Sequence, residues 1–258
     1  MRIVVKVGTS TLAHPTGLLN IRRVEQLCEV LSDLKNAGHE IVLVSSGAIG
    51  MGVGKLSLKE RPQDMPTKQA AAAVGQCELM YVYDKLFSEY HHNVAQLLIT
   101  RSDIDDEGRR RNIRSTLTRL LELRAVPIIN ENDTVATEEI SIGDNDTLGA
   151  VVATQVDADL LVLLSDIDGL YTADPRRDPA ARLIGRVEKL TPEILSLGEG
   201  VGSSLGTGGM ATKLHAAELT TEAGIDMVIA NGRDPKILYA IVRGEPAGTR
   251  FFGRRDGR

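Results

Sequence analysis

Tryptophan is absent from this sequence of 258 residues, and aromatic residues make up only 3% of it. The core must therefore be aliphatic, and recognition of nucleic acid by stacking bases on aromatic rings is not expected. The net charge of −5 also argues against a protein built around a polyanion. No apolar run approaches the ~20 residues of a membrane span. We therefore expect no nucleic-acid partner and no membrane.

Cysteine is scarce as well, with Cys28 and Cys77 as the two thiols. Both fall in helical patterns without the spacing of metal ligands, which indicates a reducing compartment and buried apolar roles for both side chains. The chain begins MRIVVKVG, which leaves no room for a signal peptide before the first strand. These features predict a cytoplasmic protein.

Lysine, arginine and histidine are all missing from residues 125–175, although this stretch contains eleven acids. The remaining residues carry all 30 lysines and arginines against 24 of the 35 acids, a net charge of +6. Carboxylates held together near the interior of a fold repel unless they are neutralised or meet cations. This acid-rich segment should therefore face lysines from distant sequence, a metal or a substrate amine.

Apolar runs of strand length alternate with segments of helical periodicity along the chain. We predict strands at 2–7, 41–44, 94–99, 160–164 and 226–230, another from residue 126, and a last one at the sheet edge at 249–252. Asn20 and Thr67 are predicted helix caps. Continuously apolar strands between helices indicate a parallel sheet covered on both faces. We expect a three-layer α/β/α sandwich around a mostly parallel open sheet, in a single domain over residues 1–258.

Polar residues follow several of the predicted strands. In open α/β sheets, ligands bind beyond the carboxyl ends of the strands. We therefore expect one cleft where four strand ends converge, formed by Gly8-Thr9, Ser46-Gly47, residues 130–133 and Ser165-Asp166.

Lys6 lies inside the first apolar strand. A lysine that extends from an edge strand into solvent is one interpretation. In a central strand, the buried charge would need an anionic partner, which the acid-rich segment or a phosphate could supply.

Two glycine-containing turns lead into predicted helices. The first, SSGAIG at 45–50, is either a plain strand-to-helix turn or one that directs backbone N–H groups at an anion. The second, GTGGMATK at 206–213, places Lys213 near a helix amino end, where the macrodipole disfavours a cation unless a polyanion is close. The alternative is a flexible loop with a solvated lysine. Neither a Walker sequence nor GxGxxG is present, so P-loop and dinucleotide sites are not expected.

Asp144, Asn145 and Asp146 stand at the start of another predicted helix. Metal ligation, helix capping and substrate binding are all open for this group, and Asp144 by itself is a possible helix cap.

Taken together, these motifs resemble the amino acid kinase family, and within it the branch that phosphorylates glutamate. The resemblance covers nearly the whole chain and rests on seven stretches: VVKVGTS at 4–10, SSGAIG at 45–50, VGQ at 74–76, INENDTVAT at 129–137, GDNDTLGA at 143–150, GLYTADPR at 169–176 and GTGGMATK at 206–213. Many members of this branch continue into a PUA domain, and we expect no PUA domain within residues 1–258.

The resemblance implies the amino acid kinase fold and ATP-dependent phosphorylation of the γ-carboxylate of L-glutamate, the first step of proline biosynthesis. It implies a glutamate-binding lobe over about residues 1–156 and an ATP-binding lobe over about 157–258, with Mg²⁺ accompanying the nucleotide. Lys6 and Lys213 would flank the phosphoryl group, and Asp146 would hold the lysines in place. The metal ligands are left open.

The same resemblance assigns binding residues. Ser46, Gly47, Asp133 and Asn145 would contact glutamate, with Asp133 pairing with its α-ammonium. The ATP site would be framed by Lys6, Gly8, Thr9, Ser165, Asp166, Thr207, Gly208, Gly209, Met210, Ala211, Thr212 and Lys213.

Family members usually form dimers or tetramers, so a homodimer or homotetramer is expected, with proline as a possible feedback inhibitor. Two alternatives are kept. One is a kinase for another carboxylate, of the N-acetylglutamate or aminoadipate type. The other is a non-catalytic nucleotide-binding member of the fold, against which the two lysines and Asp146 argue.

Overall fold

Eight strands form one sheet in the computed structural model, which describes residues 1–14, 18–136, 144–198 and 209–254. The strands are β1 (Arg2–Val7), β2 (Glu40–Ser45), β3 (Val94–Ile99), β4 (Val126–Glu131), β5 (Leu160–Ser165), β6 (Arg186–Val187), β7 (Asp226–Asn231) and β8 (Thr249–Phe251). They lie in the order β3-β4-β2-β1-β5-β7-β8-β6, and all neighbours are parallel except β7 and β8. The predicted mostly parallel open sheet is confirmed.

Helices cover both faces of this sheet. They are α1 (Thr9–Leu12), α2 (Ile21–Asn36), α3 (Ala48–Lys55), α4 (Met65–Ser88), α5 (Arg101–Asp105), α6 (Glu107–Glu122), α7 (Asn145–Gln155), α8 (Pro192–Ser196), α9 (Met210–Glu222) and α10 (Ile237–Val242). Successive side chains of a strand point to opposite faces. Accordingly, Val4 of β1 joins a core with α7 and α9, whereas Ile3 and Val5 join a second core with α2 and α4. The three-layer sandwich is therefore confirmed.

Lys6 lies in the middle of the sheet, because β1 pairs with β2 on one side and with β5 on the other. Its register partners are Val44 and Leu163. The interpretation of Lys6 as an edge-strand lysine is therefore wrong. The strands of residues 1–156 form one half of the sheet and the later strands the other, and β1 meets β5 at the centre.

Two predictions about element ends need correction. The long helix is capped by Asp64 and not by Thr67, whose backbone N–H donates to Asp64 Oδ1 at 2.9 Å. Proline fits in the first turn of a helix, where its missing N–H has no partner to lose, so Pro66 lets α4 start earlier. The predicted cap at Asn20 is observed, with its side chain accepting from Arg23 N.

The strand at 249–252 is not at the sheet edge. β8 pairs with β7 on one side and with β6 on the other, so β6 is the edge strand. With only two residues, β6 is too short to show a period-2 pattern, and Val187 is its buried member.

The two cysteines differ in exposure. Cys28 is buried, as predicted, but Cys77 is exposed. Gln76 takes the buried position next to it on α4, and consecutive helical residues point about 100° apart. No helix in the described part of the chain is long and apolar enough to cross a membrane.

Candidate active site

A buried carboxylate joins two lysines at the centre of the molecule. Asp146 Oδ1 lies 2.6 Å from Lys6 Nζ, and Asp146 Oδ2 lies 2.8 Å from Lys213 Nζ. The three side chains are only 1%, 10% and 6% exposed, respectively. Three distant segments of sequence, on β1, α7 and α9, therefore meet at one point.

The charges of this trio are unequal. Burial by itself raises the pKa of the Asp146 carboxyl, but the adjacent Lys6 and Lys213 ammonium groups outweigh that effect and lower the pKa to about 2. One carboxylate then faces two ammonium groups, which leaves one positive charge in a largely dry site. Such a charge is costly unless an anion arrives to pair with it.

Local structure explains how Asp146 reaches the lysines. Asp144 caps α7, and its Oδ1 accepts the backbone N–H groups of Asp146 and Thr147 at 2.8 and 2.9 Å. Of the alternatives left open for Asp144, capping is therefore the observed one. A Cβ added to Gly149 would lie 3.5 Å from Lys6 Cβ, so α7 packs directly against β1.

Lys213 lies in the first turn of α9, where the helix macrodipole disfavours a cation. The Asp146 carboxylate offsets that effect. The neighbouring Thr212 Oγ1 donates to the Gly209 carbonyl at 2.8 Å and lies 3.3 Å from Asp146 Oδ2. The interpretation of Lys213 as a solvated lysine is wrong, because its side chain is buried.

A cluster of amide and hydroxyl groups lies beside the trio, starting from Asn145, the residue before Asp146. Asn145 Nδ2 donates to Ser46 Oγ at 2.8 Å and to Asn130 Oδ1 at 2.9 Å, and it lies 3.3 Å from the Ser45 carbonyl oxygen. The structure thus brings together the ends of β2 and β4 and the start of α7. Gly47, next to Ser46, has φ +104° and caps α3, a conformation that favours glycine.

Asp133 lies just beyond β4. Burial, reinforced by the like charge of Glu131, raises the pKa of the Asp133 carboxyl to about 6, although Arg61 acts in the opposite direction. No hydrogen bond joins Asp133 to Asn145 or Ser46 within the described ranges. A raised carboxyl pKa indicates a group that would gain from a cationic partner.

The residues predicted to bind ATP lie around β1, β5 and α9. A Cβ on Gly8 would lie 3.6 Å from Lys6 Nζ, and Thr9 begins α1. Ser165 ends β5 and donates to Asp166 Oδ1 at 3.2 Å. Gly209, Met210, Ala211 and Thr212 lead into Lys213 at the start of α9. Thr207 and Gly208 lie outside the described residues.

Two polar residues of this site were given no individual role in the sequence analysis, although Asn130 was expected at the cleft and Gln76 ends the VGQ stretch. Asn130 is 2% exposed and Gln76 is 7% exposed, and they are hydrogen-bonded to each other. A sequence signal existed for Gln76, which follows a run of small residues on α4. Buried amides almost always have partners.

Metal ligands do not form an evident cluster. Within residues 1–14, 18–136, 144–198 and 209–254, no group of three or more His, Cys, Asp or Glu side chains is placed to hold a metal ion. Both oxygens of Asp146 already face lysines.

The family assignment agrees with this arrangement of sheet, lysines and glycine turns. The model of the amino acid kinase family matches residues 1–231, and the chain belongs to this family. The particular relatives are glutamate 5-kinases. The chain is 51% identical to the glutamate 5-kinase of Clostridium perfringens, covering 98% of this chain and 96% of that enzyme. It is 55% identical to that of Moorella thermoacetica, covering 98% of this chain and 67% of that enzyme.

Two solved structures share the fold at low sequence identity. Carbamate kinase from Giardia lamblia bound to AMP-PNP aligns with a TM-score of 0.71 at 18% identity, covering 98% of both chains. The product complex of T. acidophilum isopentenyl phosphate kinase aligns with a TM-score of 0.68 at 17% identity, covering 97% of this chain and all of that one. At this identity the likeness shows the fold alone.

Proposed function

We propose that this chain transfers the γ-phosphoryl group of ATP to the γ-carboxylate of L-glutamate, giving L-glutamyl 5-phosphate and ADP, the first step of proline biosynthesis. The observation that carries the proposal is the buried trio of Lys6, Asp146 and Lys213 beside the amide cluster of Asn145. It occurs in a chain that is 51% identical to a glutamate 5-kinase over nearly its full length.

The chemistry needs no general base. A glutamate side chain has a pKa of about 4.3 and is already ionised at neutral pH, so its oxygen can attack the γ-phosphorus directly. One O–P bond forms while the bond from phosphorus to the β–γ bridging oxygen breaks, and ADP leaves with that oxygen. Catalysis then consists of alignment and neutralisation of charge on the transferring group.

Lys6 and Lys213 supply that neutralisation in this proposal. Their buried ammonium groups lie on opposite oxygens of Asp146, which fixes their separation before substrate binds. Asp146 itself acts as a positioning residue and not as a base. Its pKa of about 2 leaves it with little affinity for a proton at neutral pH.

ATP would be held by the backbone of Gly8 and Thr9, by Ser165-Asp166, and by residues 207–213, which include Lys213. The positive charge of the trio and the amino end of α9 suit a polyphosphate. Mg²⁺, when bound with the nucleotide, would supply positive charge that neutralises the phosphates, and such ions usually need few protein ligands.

Glutamate would be held by Ser46, Gly47, Asp133 and Asn145. Asp133 is the proposed partner of the α-ammonium, and its raised pKa supports this role because a bound cation would relieve the cost of its charge. N-acetylglutamate lacks the ammonium and should bind poorly.

Several further features belong to the same proposal. Residues 1–156 would form the glutamate-binding lobe and residues 157–258 the ATP-binding lobe, in keeping with the two halves of the sheet. We also propose a cytoplasmic location, a homodimer or homotetramer, and inhibition by proline, a cyclic analogue that could occupy the glutamate pocket. Sedimentation analysis with and without proline, alongside activity, tests the last two.

The decisive experiment measures ADP release by the purified chain with ATP, Mg²⁺ and a panel of acceptors. Glutamate should support rapid ADP formation, and N-acetylglutamate, aminoadipate and aspartate should be much poorer. Equal or faster turnover of N-acetylglutamate would contradict the substrate assignment. No acceptor-dependent ADP at all would favour a non-catalytic nucleotide-binding protein.

A further inference from the structure

The orientation of each amide in the cluster follows from neighbours that can only donate or only accept a hydrogen bond. The backbone N–H of Glu131 donates to the side-chain oxygen of Asn130 at 2.9 Å. A backbone N–H can only donate, so the Asn130 atom that faces it must be the carbonyl oxygen and not the NH₂ group. The NH₂ group of Asn130 therefore points the other way, where Gln76 Oε1 accepts from it at 2.9 Å.

The same logic extends to Asn145. Its Nδ2 donates to Asn130 Oδ1 at 2.9 Å and lies 3.3 Å from the Ser45 carbonyl oxygen. Both of these partners can only accept, so the NH₂ group of Asn145 must be the one that faces them. Asn145 Oδ1 accepts no hydrogen bond from the described residues and is not among their buried unpaired atoms. It is left as an acceptor.

Close helix packing places Gln76 where this cluster needs it. A Cβ on Gly75 would lie 1.8 Å from the Ala48 carbonyl oxygen, and one on Gly52 would lie 1.8 Å from the Ala71 carbonyl oxygen. Only hydrogens at these two positions allow α4 to approach α3 so closely. This approach brings the Gln76 side chain to the end of β4, where Asn130 lies.

We propose that Gln76 is a positioning residue that makes the Asn145 amide present its oxygen to the α-ammonium of the substrate. An ammonium has only donors, so it binds Oδ1 and is repelled by the NH₂ group. Gln76 acts at a distance by holding Asn130 in the orientation that captures the Asn145 NH₂ group. Without an acceptor at residue 76, the buried Asn130 NH₂ group loses its partner, and the cluster must rearrange to satisfy it. This inference rests on the proposed function and adds a residue that selects for a free amine.

The test compares Gln76→Met, which keeps the length and removes the acceptor, with Gln76→Glu, which keeps an acceptor. Gln63→Met, at an exposed glutamine, is the matched control. For each protein, kcat and KM are measured with glutamate and with glutarate, which is glutamate without its α-amino group, and the melting temperature is recorded.

We expect Gln76→Met to raise the KM for glutamate about tenfold, equivalent to about 1.4 kcal/mol, with kcat within about twofold of wild type. The KM for glutarate should stay unchanged, because that substrate has no ammonium to orient. Gln76→Glu should recover most of the glutamate affinity, and Gln63→Met should match wild type.

Three outcomes would overturn the inference: an unchanged glutamate KM in Gln76→Met, an equal rise for both substrates, or a folded Gln76→Glu as impaired as Gln76→Met. A wild-type protein that releases no ADP with glutamate would refute the proposed function first and this inference with it.

A measurement on the wild-type protein decides the matter if Gln76→Met does not fold. The side-chain NH₂ groups of Asn130 and Asn145, followed by nitrogen-15 NMR, should exchange slowly with solvent both before and after glutamate is added. Fast exchange of the Asn145 NH₂ group in the free protein would contradict the orientation inferred here.

Discussion

Asp146→Asn is the substitution that tests the central trio most directly. Asparagine keeps the size and shape of the side chain but removes the negative charge between Lys6 and Lys213. Two buried ammonium groups would then face a neutral amide, whose NH₂ group cannot accept from the lysine on its side. We expect a loss of stability and a larger loss of activity.

The structure allows the loss of stability to be bounded. The Asp146 pKa falls from its ordinary value of 3.8 to about 2 in the folded protein, and at 1.36 kcal/mol per pKa unit this corresponds to about 2 kcal/mol. Removing one member of a buried ion pair generally costs about 3–5 kcal/mol, because the remaining charge stays buried. A decrease of about 2–5 kcal/mol in the free energy of unfolding is therefore expected at pH 7.

The dependence on pH has a definite sign. A carboxyl whose pKa is lowered by folding stabilises the native state above its unfolded pKa, and that stabilisation is lost as the pH falls through the folded value. The stability difference between wild type and Asp146→Asn should therefore be constant at neutral pH and shrink between about pH 4 and pH 2.

Urea unfolding followed by far-ultraviolet circular dichroism is the suitable assay, because the protein has no tryptophan to report by fluorescence. Asp157→Asn is the control, since Asp157 forms an exposed ion pair with Arg114 and should cost less than about 1 kcal/mol. With saturating substrates, kcat of Asp146→Asn should fall by about a hundredfold or more. Wild-type stability at pH 7 together with a kcat within a few-fold of wild type would refute the role of Asp146.

Three further predictions concern single residues. Lys213→Ala should lower kcat by about a hundredfold or more while weakening ATP binding far less, because its contact strengthens in the transition state; steady-state kinetics and nucleotide titration measure the two effects. Asp133→Asn should raise the glutamate KM with little effect on ATP. It should also abolish a fall in kcat/KM for glutamate below about pH 6, where wild-type Asp133 takes up a proton. Gly75→Ala should destabilise the protein by at least about 1–3 kcal/mol in urea unfolding, because its Cβ would lie 1.8 Å from the Ala48 carbonyl oxygen.

Each of these three predictions has an outcome that would contradict it. If Lys213→Ala keeps kcat within a few-fold of wild type, Lys213 takes no part in the reaction. If Asp133→Asn leaves the KM for glutamate unchanged, Asp133 does not contact the α-ammonium. Gly185→Ala is matched to Gly75→Ala, because a Cβ there meets nothing within 4 Å. Equal stabilities of these two alanine variants would contradict the close packing of α3 and α4.

The sheet could be predicted because its central strands are apolar on both faces and long enough to be recognised as apolar runs in the sequence. β1 and β5 are buried along nearly all their length, and such strands stand out in sequence. β6 could not be predicted by the same reasoning, because two residues carry no period and its existence depends on β8 beside it. Thr67 was an incorrect cap since capping preference alone does not choose among nearby candidates.

The sequence predicted that cationic groups would face the acid-rich segment, because the charges of a segment can be summed from its residues. A stretch with eleven acids and no cations must meet positive charge from elsewhere, and Lys6 and Lys213 are the described lysines that contact it. Which acid they would contact was not a matter of composition. Asp146 reaches both because Asp144 caps α7 and turns the next residues inward.

The proposed role of Gln76 could not be predicted from the distribution of charge along the sequence. An amide is neutral, so no sum over the sequence signals that it needs a partner, and its two ends are nearly identical in shape. Which end of the Gln76 amide faces Asn130 depends on the backbone N–H of Glu131, which fixes the Asn130 side chain, and Asn130 lies 54 positions from Gln76 in sequence. A charge can be balanced by any nearby counter-charge, whereas in a series of hydrogen-bonded amides each NH₂ group must face an oxygen of the next residue. We therefore expect conservative substitutions to separate the two kinds of residue: removing the acceptor at position 76 should change which substrate binds, while neutralising Asp146 should change how fast any substrate reacts.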